Sequence, residues 1–90
     1  MPERLDVQIS TRAARALRKL DRGTQQRILL AVNLLRDQPR PPGARALAGR
    51  PGYLRVRVGE SRIVYTVDDG VLVVLVLAVG HRREIYQRLP

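Results

Sequence analysis

The sequence predicts an α+β fold in which a helical hairpin covers one face of a mostly antiparallel sheet. Residues 11–38 carry apolar side chains at helical spacing, and residues 53–79 read as strands. The Asp69-Gly70 pair predicts a tight hairpin that joins two of these strands. The expected order of elements is β-α-α-β-β-β, with a short C-terminal element around residues 84–87. The 90 residues are expected to form a single domain, 1–90.

The first half of the chain predicts one strand and the first helix. "LDVQIS" alternates apolar and polar residues, which is typical of a strand. Ser10 or Thr11 is then placed to cap a helix, because a hydroxyl oxygen accepts the unpaired N–H groups of a first turn. The apolar face of this helix comprises Ala13, Ala16, Leu17 and Leu20.

A second helix is expected after "DRG", with Thr24 as its cap and Pro39 as its end. Its apolar stripe at positions i, i+3, i+4 and i+7 comprises Ile28, Ala31, Val32 and Leu35. Residues 39–52 hold four of the six prolines and three of the seven glycines, so they predict a loop rather than an element.

The second half of the chain predicts three strands. "YLRVRV" places Tyr53, Arg55 and Arg57 on one face, and "RIVYTV" follows after the turn "GES". Residues 71–79 are aliphatic without alternation, which indicates a strand in the middle of the sheet with both faces covered. Gly80 is expected to end this strand and to let "GHRREIY" turn across the sheet edge.

The charge of the chain indicates a polyanionic partner. Seventeen basic residues against eight acidic ones give a net charge of +9, and Lys19 is the only lysine. Such a balance is typical of proteins that bind nucleic acid or an acidic protein. The alternative is a solvated surface whose arginines reflect the base composition of the genome.

Several classes of protein are disfavoured. There is no cysteine and only one histidine, so no metal site and no cofactor is expected. The first residues lack the apolar stretch of a signal peptide, and the apolar run of residues 71–79 is less than half the length of a membrane helix. We therefore expect a soluble cytoplasmic protein without membrane contact.

The strand faces predict a phosphate-handling site. Arg55 and Arg57 sit about 7 Å apart on one strand, close to the spacing of successive phosphates. Arg62 opens the neighbouring strand, and Arg82 and Tyr86 follow Gly80. Each residue alone has a simpler explanation, such as a solvated strand face, a surface ion pair or packing at the rim of the sheet. Their convergence favours a site.

"GYLRVRVGESRIVYTVDD", the aliphatic strand and "VGHRREIY" together resemble the RelE family of toxin–antitoxin ribonucleases, within the RelE/ParE superfamily. The likeness covers nearly the whole chain. It implies a toxin that cleaves messenger RNA in the ribosomal A site without a metal, by attack of a 2′-hydroxyl on the adjacent phosphate. It also implies silencing by a cognate acidic, RelB-like antitoxin, in a complex that is expected to bind operator DNA.

The resemblance implies a role for the same five residues, Arg55, Arg57, Arg62, Arg82 and Tyr86, as catalytic groups. His81, Arg83 and Arg50 are expected to contact RNA around them. Well-known members carry lysines where this chain has Arg55 and Arg57. Because arginine is a poor proton acceptor, these two residues are expected to stabilise the transition state instead. Proton transfer is then expected from Tyr86, from His81, or from ribosomal RNA and water.

Two other functions remain open from the sequence. ParE-like members of the superfamily poison DNA gyrase and show no nuclease activity, and the shared fold does not separate them. A non-catalytic RNA-binding module is the third possibility. The chain has no phenylalanine or tryptophan, so it lacks the usual aromatic platform for stacking bases.

Overall fold

The computed structural model describes residues 5–81. Within these residues the elements are β1 (Asp6–Ile9), α1 (Thr11–Arg18), α2 (Arg22–Leu34), β2 (Arg45–Ala46), β3 (Leu54–Val58), β4 (Ser61–Asp68) and β5 (Val73–His81). The described strands form one sheet in the order β1-β5-β4-β3-β2, in which β1 is parallel to β5 and the other neighbours are antiparallel. The predicted fold class is confirmed. The C-terminal element expected around residues 84–87 lies outside the described residues.

The core lies between the two helices and one face of the sheet. The helical side of the core includes Ala13, Ile28, Val32 and Leu35, all members of the two predicted apolar faces. The strands contribute Ile63, Tyr65, Val74, Val76 and Val79. Full burial of one such aliphatic side chain stabilises the fold by roughly 1.5–3 kcal/mol, so this interface holds the helices in place.

The cap of α1 is the predicted one and the cap of α2 is not. Ser10 Oγ accepts a hydrogen bond from the Ala13 N–H at 3.1 Å. In α2 the cap is Asp21 rather than Thr24, since the Asp21 carboxylate accepts the Thr24 N–H at 3.0 Å and the Thr24 hydroxyl at 2.6 Å. Aspartate is at least as good an N-cap as threonine, so the helix begins at Arg22 and the "DRG" segment does not separate the helices as expected.

The turn between β4 and β5 is longer than predicted. Asp68 pairs with Val73, so residues 69–72 form a four-residue loop instead of a two-residue Asp69-Gly70 turn. The Asp68 carboxylate accepts hydrogen bonds from the Gly70 and Val71 N–H groups at 3.0 and 3.2 Å. Leu72 takes the left-handed backbone conformation, with φ of 56°. The side-chain hydrogen bonds of Asp68 therefore replace a primed two-residue turn.

The aliphatic strand is β5, and it lies inside the sheet between β1 and β4 as predicted. Its two faces are not equally covered, because buried and half-buried residues alternate along its first half. The register shifts between Val64 and Tyr65, whose partners are Ala78 and Val76, so Leu77 is an extra residue in β5. The prediction that Gly80 ends the strand is wrong, since Gly80 pairs with Arg62 and the strand continues to His81.

The predicted loop of residues 39–52 contains the two-residue strand β2, a small departure from the expectation. Its pairing with β3 extends the sheet by one short strand. None of the helices among residues 5–81 is long and apolar enough to cross a bilayer.

Candidate functional site

The sheet face opposite the helices carries a small basic hollow of about 240 Å³. Its described lining consists of one glycine and four arginines, Gly43, Arg45, Arg55, Arg57 and Arg62. We call it the arginine hollow. The prediction that Arg55 and Arg57 point away from the helices and lie beside Arg62 is confirmed in its geometry. Their catalytic role remains a prediction.

The strand register brings the four arginines together in two opposed pairs. Arg45 lies opposite Arg55, and Arg57 lies opposite Arg62. Directly opposite residues of antiparallel strands share a face, with Cα atoms about 4.5–5.5 Å apart. Like charges in this position destabilise a sheet. The register thus gathers four permanently positive groups on one face of the sheet.

Arg45 is the member of the hollow that the sequence reasoning missed. It lies in the proline- and glycine-rich segment, where no alternation of apolar residues marks a strand face. One of its terminal nitrogens donates to the carbonyl oxygens of Pro42 and Ala44, both at 3.1 Å. Only the pairing of β2 with β3 places Arg45 beside Arg55.

Two anchors hold the segment that carries Gly43 and Arg45. The Tyr65 hydroxyl donates to the Pro39 carbonyl oxygen at 2.8 Å. Arg40 forms a bidentate salt bridge with Asp69, with N–O distances of 3.2 and 2.8 Å. Burial raises the pKa of Tyr65, and the hydrogen bond from Arg40 lowers the pKa of the Asp69 carboxyl. Both anchors fasten the start of the loop to the β4–β5 hairpin.

An apolar patch lies on the same sheet face as the hollow. Val64 and Ala78 are buried there, and Tyr53 and Leu47 pack against them. The Arg50 guanidinium lies 5.7 Å from the centre of the Tyr53 ring, which is within the range of a cation–π contact. Arg50, predicted to contact RNA, is thus placed on this patch rather than in the arginine hollow.

The bulge at Leu77 determines which residues at the end of β5 lie on the same sheet face as the arginine hollow. Gly80 lies opposite Arg62, and a Cβ atom at Gly80 would meet no atom of residues 5–81 within 4 Å. His81 lies opposite Ser61, a buried residue, and this register position belongs to the helix side of the sheet. His81, expected to contact RNA near the five residues, thus takes a register position on the other side of the sheet from the arginines, because the extra residue shifts the alternation by one; its contact with RNA stays a prediction. The exposed ring of His81 stands at the end of the strand.

The remaining predicted site residues, Arg82, Arg83 and Tyr86, lie outside the described residues. Among residues 5–81 no group of three or more histidine, aspartate or glutamate side chains is arranged to hold a metal ion. What the described site offers is a concentration of permanently charged donors. Guanidinium groups arranged in this way are suited to hydrogen-bonding a phosphate and to stabilising additional negative charge on it.

Comparison with protein families matches residues 7–86 to the model described as the ParE toxin of the type II toxin–antitoxin system parDE. A protein of Escherichia coli described as a putative RelE-like toxin is 31% identical over 80 residues, which cover 88% of this chain and 84% of the relative.

Solved structures show the same fold. The RelBE2 toxin–antitoxin complex of Mycobacterium tuberculosis matches with a TM-score of 0.76 and 29% identity, covering 88% of this chain and 99% of the matched chain. The archaeal RelE–RelB complex of Pyrococcus horikoshii matches with a TM-score of 0.75 and 26% identity, covering 91% of this chain and 97% of the matched chain. A free double mutant of the E. coli RelE toxin matches with a TM-score of 0.80 and 24% identity, covering 96% of this chain and 94% of the matched chain, and supports the fold alone.

Proposed function

This chain is a toxin of the RelE/ParE superfamily of type II toxin–antitoxin modules, and from that premise we propose that it is a ribosome-dependent endoribonuclease. The observation that carries the proposal is the arginine hollow, in which the strands bring four arginines together on one side of the sheet. A messenger RNA segment presented in the ribosomal A site supplies the phosphates that this hollow fits. A ribosomal target places the protein in the cytoplasm.

In the proposed reaction the 2′-oxygen of the RNA attacks the adjacent phosphorus and the bond to the 5′-oxygen breaks. The products are a 2′,3′-cyclic phosphate and a 5′-hydroxyl. The proton of the 2′-hydroxyl departs during attack, and the leaving 5′-oxygen gains a proton. Negative charge accumulates on the pentavalent phosphate between these steps. The arginines of the hollow stabilise that charge, since guanidinium groups stay protonated throughout.

Proton transfer is assigned to groups other than the four arginines. Arginine cannot act as a base, because its pKa lies above about 12. His81 takes a register position on the other side of the sheet, so we do not give it this role. Tyr86, or water and RNA groups of the ribosome, complete the reaction in our proposal. Such an enzyme depends on its target to present the RNA in the right geometry.

A second candidate function is supported by the family match. The matching model is that of ParE toxins, and ParE-like members of the superfamily poison DNA gyrase. In that alternative the arginine hollow binds a polyanion without chemistry. The two candidates differ in product, since one leaves cut RNA and the other leaves damaged DNA.

An antitoxin partner is part of the proposal. The matched structures from M. tuberculosis and P. horikoshii are toxin–antitoxin complexes. With a net charge of +9, this chain favours an acidic partner that neutralises it and associates quickly. Binding of the resulting complex to operator DNA is a further part of this proposal.

The decisive test is single-turnover cleavage of messenger RNA in a programmed ribosomal complex. Arg57→Ala and Arg62→Ala should each lower the rate about a hundredfold to a thousandfold, the usual effect of removing one preorganised donor. Arg18→Ala is the matched control, because Arg18 is an exposed arginine on α1, away from the hollow. It should cleave at the wild-type rate.

Two outcomes would contradict the assignment. Wild-type rates in both hollow variants would remove the arginine hollow from the reaction. Inhibition of gyrase supercoiling by the wild-type protein, without RNA cuts, would select the ParE-like alternative.

A further inference from the structure

An aromatic side chain stands beside the arginine hollow on the open face of the sheet. Tyr53 precedes β3 by one residue, and the Leu47 N–H donates to its carbonyl oxygen at 3.0 Å, so the pairing of β2 with β3 extends to this position. Because side chains two residues apart on a strand share a face, Tyr53 lies on the face of Arg55. The two positions are about 7 Å apart, roughly the reach from a nucleobase to the phosphate of its own nucleotide.

The ring of Tyr53 has apolar neighbours and one cationic neighbour. It packs against the buried pair Val64 and Ala78, and the Arg50 guanidinium lies 5.7 Å from the centre of the ring. Tyr53 and Arg50 are both half-buried, so a part of each residue is open to solvent. Aromatic rings and guanidinium planes are the groups on which proteins stack the bases of single-stranded RNA.

A tight turn between β2 and β3 fixes Arg50 relative to Tyr53. The Arg50 N–H donates to the Leu47 carbonyl oxygen at 3.2 Å, and the Tyr53 N–H donates to the Arg50 carbonyl oxygen at 3.1 Å. Gly49 and Gly52 have φ angles of 75° and 85°, which glycine adopts without strain. The backbone therefore holds the ring and the guanidinium in place before anything binds, which lowers the entropy cost of binding a flat group there.

We propose that Tyr53 and Arg50 form a stacking site for one nucleobase of the RNA whose phosphate lies in the arginine hollow. This inference rests on the RNA substrate proposed above and adds a base-binding position to the same site. Every base has a π-face, so the stacking site accepts all four bases. An apolar protein segment is the less favoured occupant, because it would desolvate the adjoining charges of Arg45 and Arg55 without supplying a counter-charge.

The test measures equilibrium binding, which does not depend on cleavage. The two probes are a labelled RNA of about ten nucleotides and a chain of about ten tetrahydrofuran phosphates, which carries the same charges without bases. Tyr53→Leu keeps an apolar side chain over Val64 and Ala78. It should bind the RNA about fivefold to a hundredfold more weakly than the wild type and bind the abasic chain equally well. Tyr53→Phe keeps the ring and should match the wild type with both probes.

A pair of arginine variants separates stacking from charge. Arg50→Lys keeps the positive charge and removes the planar guanidinium. It should weaken RNA binding about twofold to fivefold and leave the affinity for the abasic chain unchanged. Arg18→Ala is the control, because Arg18 is an exposed arginine on α1. It should show the same ratio of the two affinities as the wild type.

A fluorescent base reports the contact directly. 2-Aminopurine loses fluorescence when it stacks on an aromatic ring, and this chain has no tryptophan that would interfere. An oligouridine RNA with one 2-aminopurine should dim when it is saturated with the wild type or with Tyr53→Phe. It should stay bright when it is saturated with Tyr53→Leu.

Two results overturn the inference. An equal loss of affinity for both probes in Tyr53→Leu would show that the ring only supports the shape of the arginine hollow. Wild-type affinity for both probes in Tyr53→Leu, with unchanged dimming of 2-aminopurine, would show that no base stacks there.

The proposed ribonuclease activity is tested separately in the programmed ribosomal complex. If the wild type cuts no RNA there but Tyr53→Leu still loses affinity for RNA alone, the stacking site stands and the ribonuclease activity falls. If the wild type cuts RNA and Tyr53→Leu treats both probes as the wild type does, the ribonuclease activity stands and the stacking site falls.

Discussion

At the residue scale, Tyr65 links the core to the site. Its ring is fully buried between the helices and the sheet, and its hydroxyl reaches the Pro39 carbonyl at 2.8 Å. This hydrogen bond fixes the start of the segment that brings Arg45 to the arginine hollow. Tyr65 is thus a core residue that also helps to position Arg45 on the opposite face of the sheet.

Tyr65→Phe should destabilise the protein by about 1–2 kcal/mol, because it leaves the Pro39 carbonyl without its partner. It should also change the response to alkali. Burial raises the pKa of Tyr65 above its ordinary value of 10.0, so its contribution to stability is complete below pH 10 and is lost as the pH rises through the higher folded pKa. Urea unfolding at pH 7 and at pH 10–11 checks both effects. An equally steep loss of stability above pH 10 in Tyr65→Phe would contradict this assignment.

At the element scale, the bulge in β5 is the feature that organises the site. Ser10 caps α1 and also donates its hydroxyl to the Leu77 carbonyl oxygen at 3.1 Å, so one side chain ties the helix start to the bulge. The extra residue then turns Gly80 to the arginine face and His81 to the other. This hydrogen bond contributes to the placement of both residues.

Ser10→Ala should lower the free energy of unfolding by roughly 0.5–2 kcal/mol, the range measured for lost N-caps. Thr11→Ala is the control, because Thr11 is the exposed first residue of α1 and does not cap it. Urea midpoints for the two variants compare them directly. A midpoint of Ser10→Ala equal to that of Thr11→Ala would show that the cap and its bond to Leu77 contribute nothing.

The salt bridge between Arg40 and Asp69, which anchors the loop after α2, predicts how stability responds to acid. The hydrogen bond from Arg40 lowers the pKa of Asp69 from its ordinary value of 3.8. A carboxyl with a depressed folded pKa contributes stability above its unfolded pKa and loses it as the pH falls through the folded one. Asp69→Asn should therefore show a shallower loss of stability below pH 4 than the wild type. Thermal melts between pH 2 and pH 5 measure this, and parallel curves would exclude the anchor as a contributor.

At the scale of the whole molecule, the net charge of +9 comes from basic residues on both the helices and the sheet, and the two sides differ in what accompanies them. The sheet face opposite the helices carries the four arginines of the hollow, and Arg50 stands on the neighbouring apolar patch. The helix side carries three exposed leucines on α2, Leu29, Leu30 and Leu34. The two sides of the molecule thus differ in chemistry, with the arginine hollow on the sheet face and exposed apolar side chains along α2.

The four arginines of the hollow predict how the proposed RNA binding depends on salt concentration. For single-stranded RNA the logarithm of the affinity falls with the logarithm of salt concentration by about 0.7 per phosphate neutralised, so four arginines give a slope of about −3. Arg57→Ala should reduce the slope by about 0.7, while Arg18→Ala should leave it unchanged. Fluorescence anisotropy with a labelled RNA of about ten nucleotides, from 50 to 200 mM salt, provides the measurement. Equal slopes in all three proteins would mean that the arginine hollow does not contact phosphate.

By itself, the sequence determined the fold class, both apolar helix faces, the buried character of β5 and the shared face of Arg55, Arg57 and Arg62. These features depend on the periods of 3.6 and 2, which are local properties of helices and strands. The family resemblance, stated from the second half of the chain, agreed with the family to which the chain belongs.

Only the tertiary structure decided the bulge at Leu77, the side taken by His81, the Asp21 cap and the inclusion of Arg45 in the hollow. A bulge depends on how two strands align, and that alignment reflects contacts distant in sequence. Strand β2 is too short to carry a period, so Arg45 joins the site only because β3 offers it a partner. The exposed leucines of α2 could be read from the sequence only as helix residues, because their exposure depends on which stripe the sheet covers.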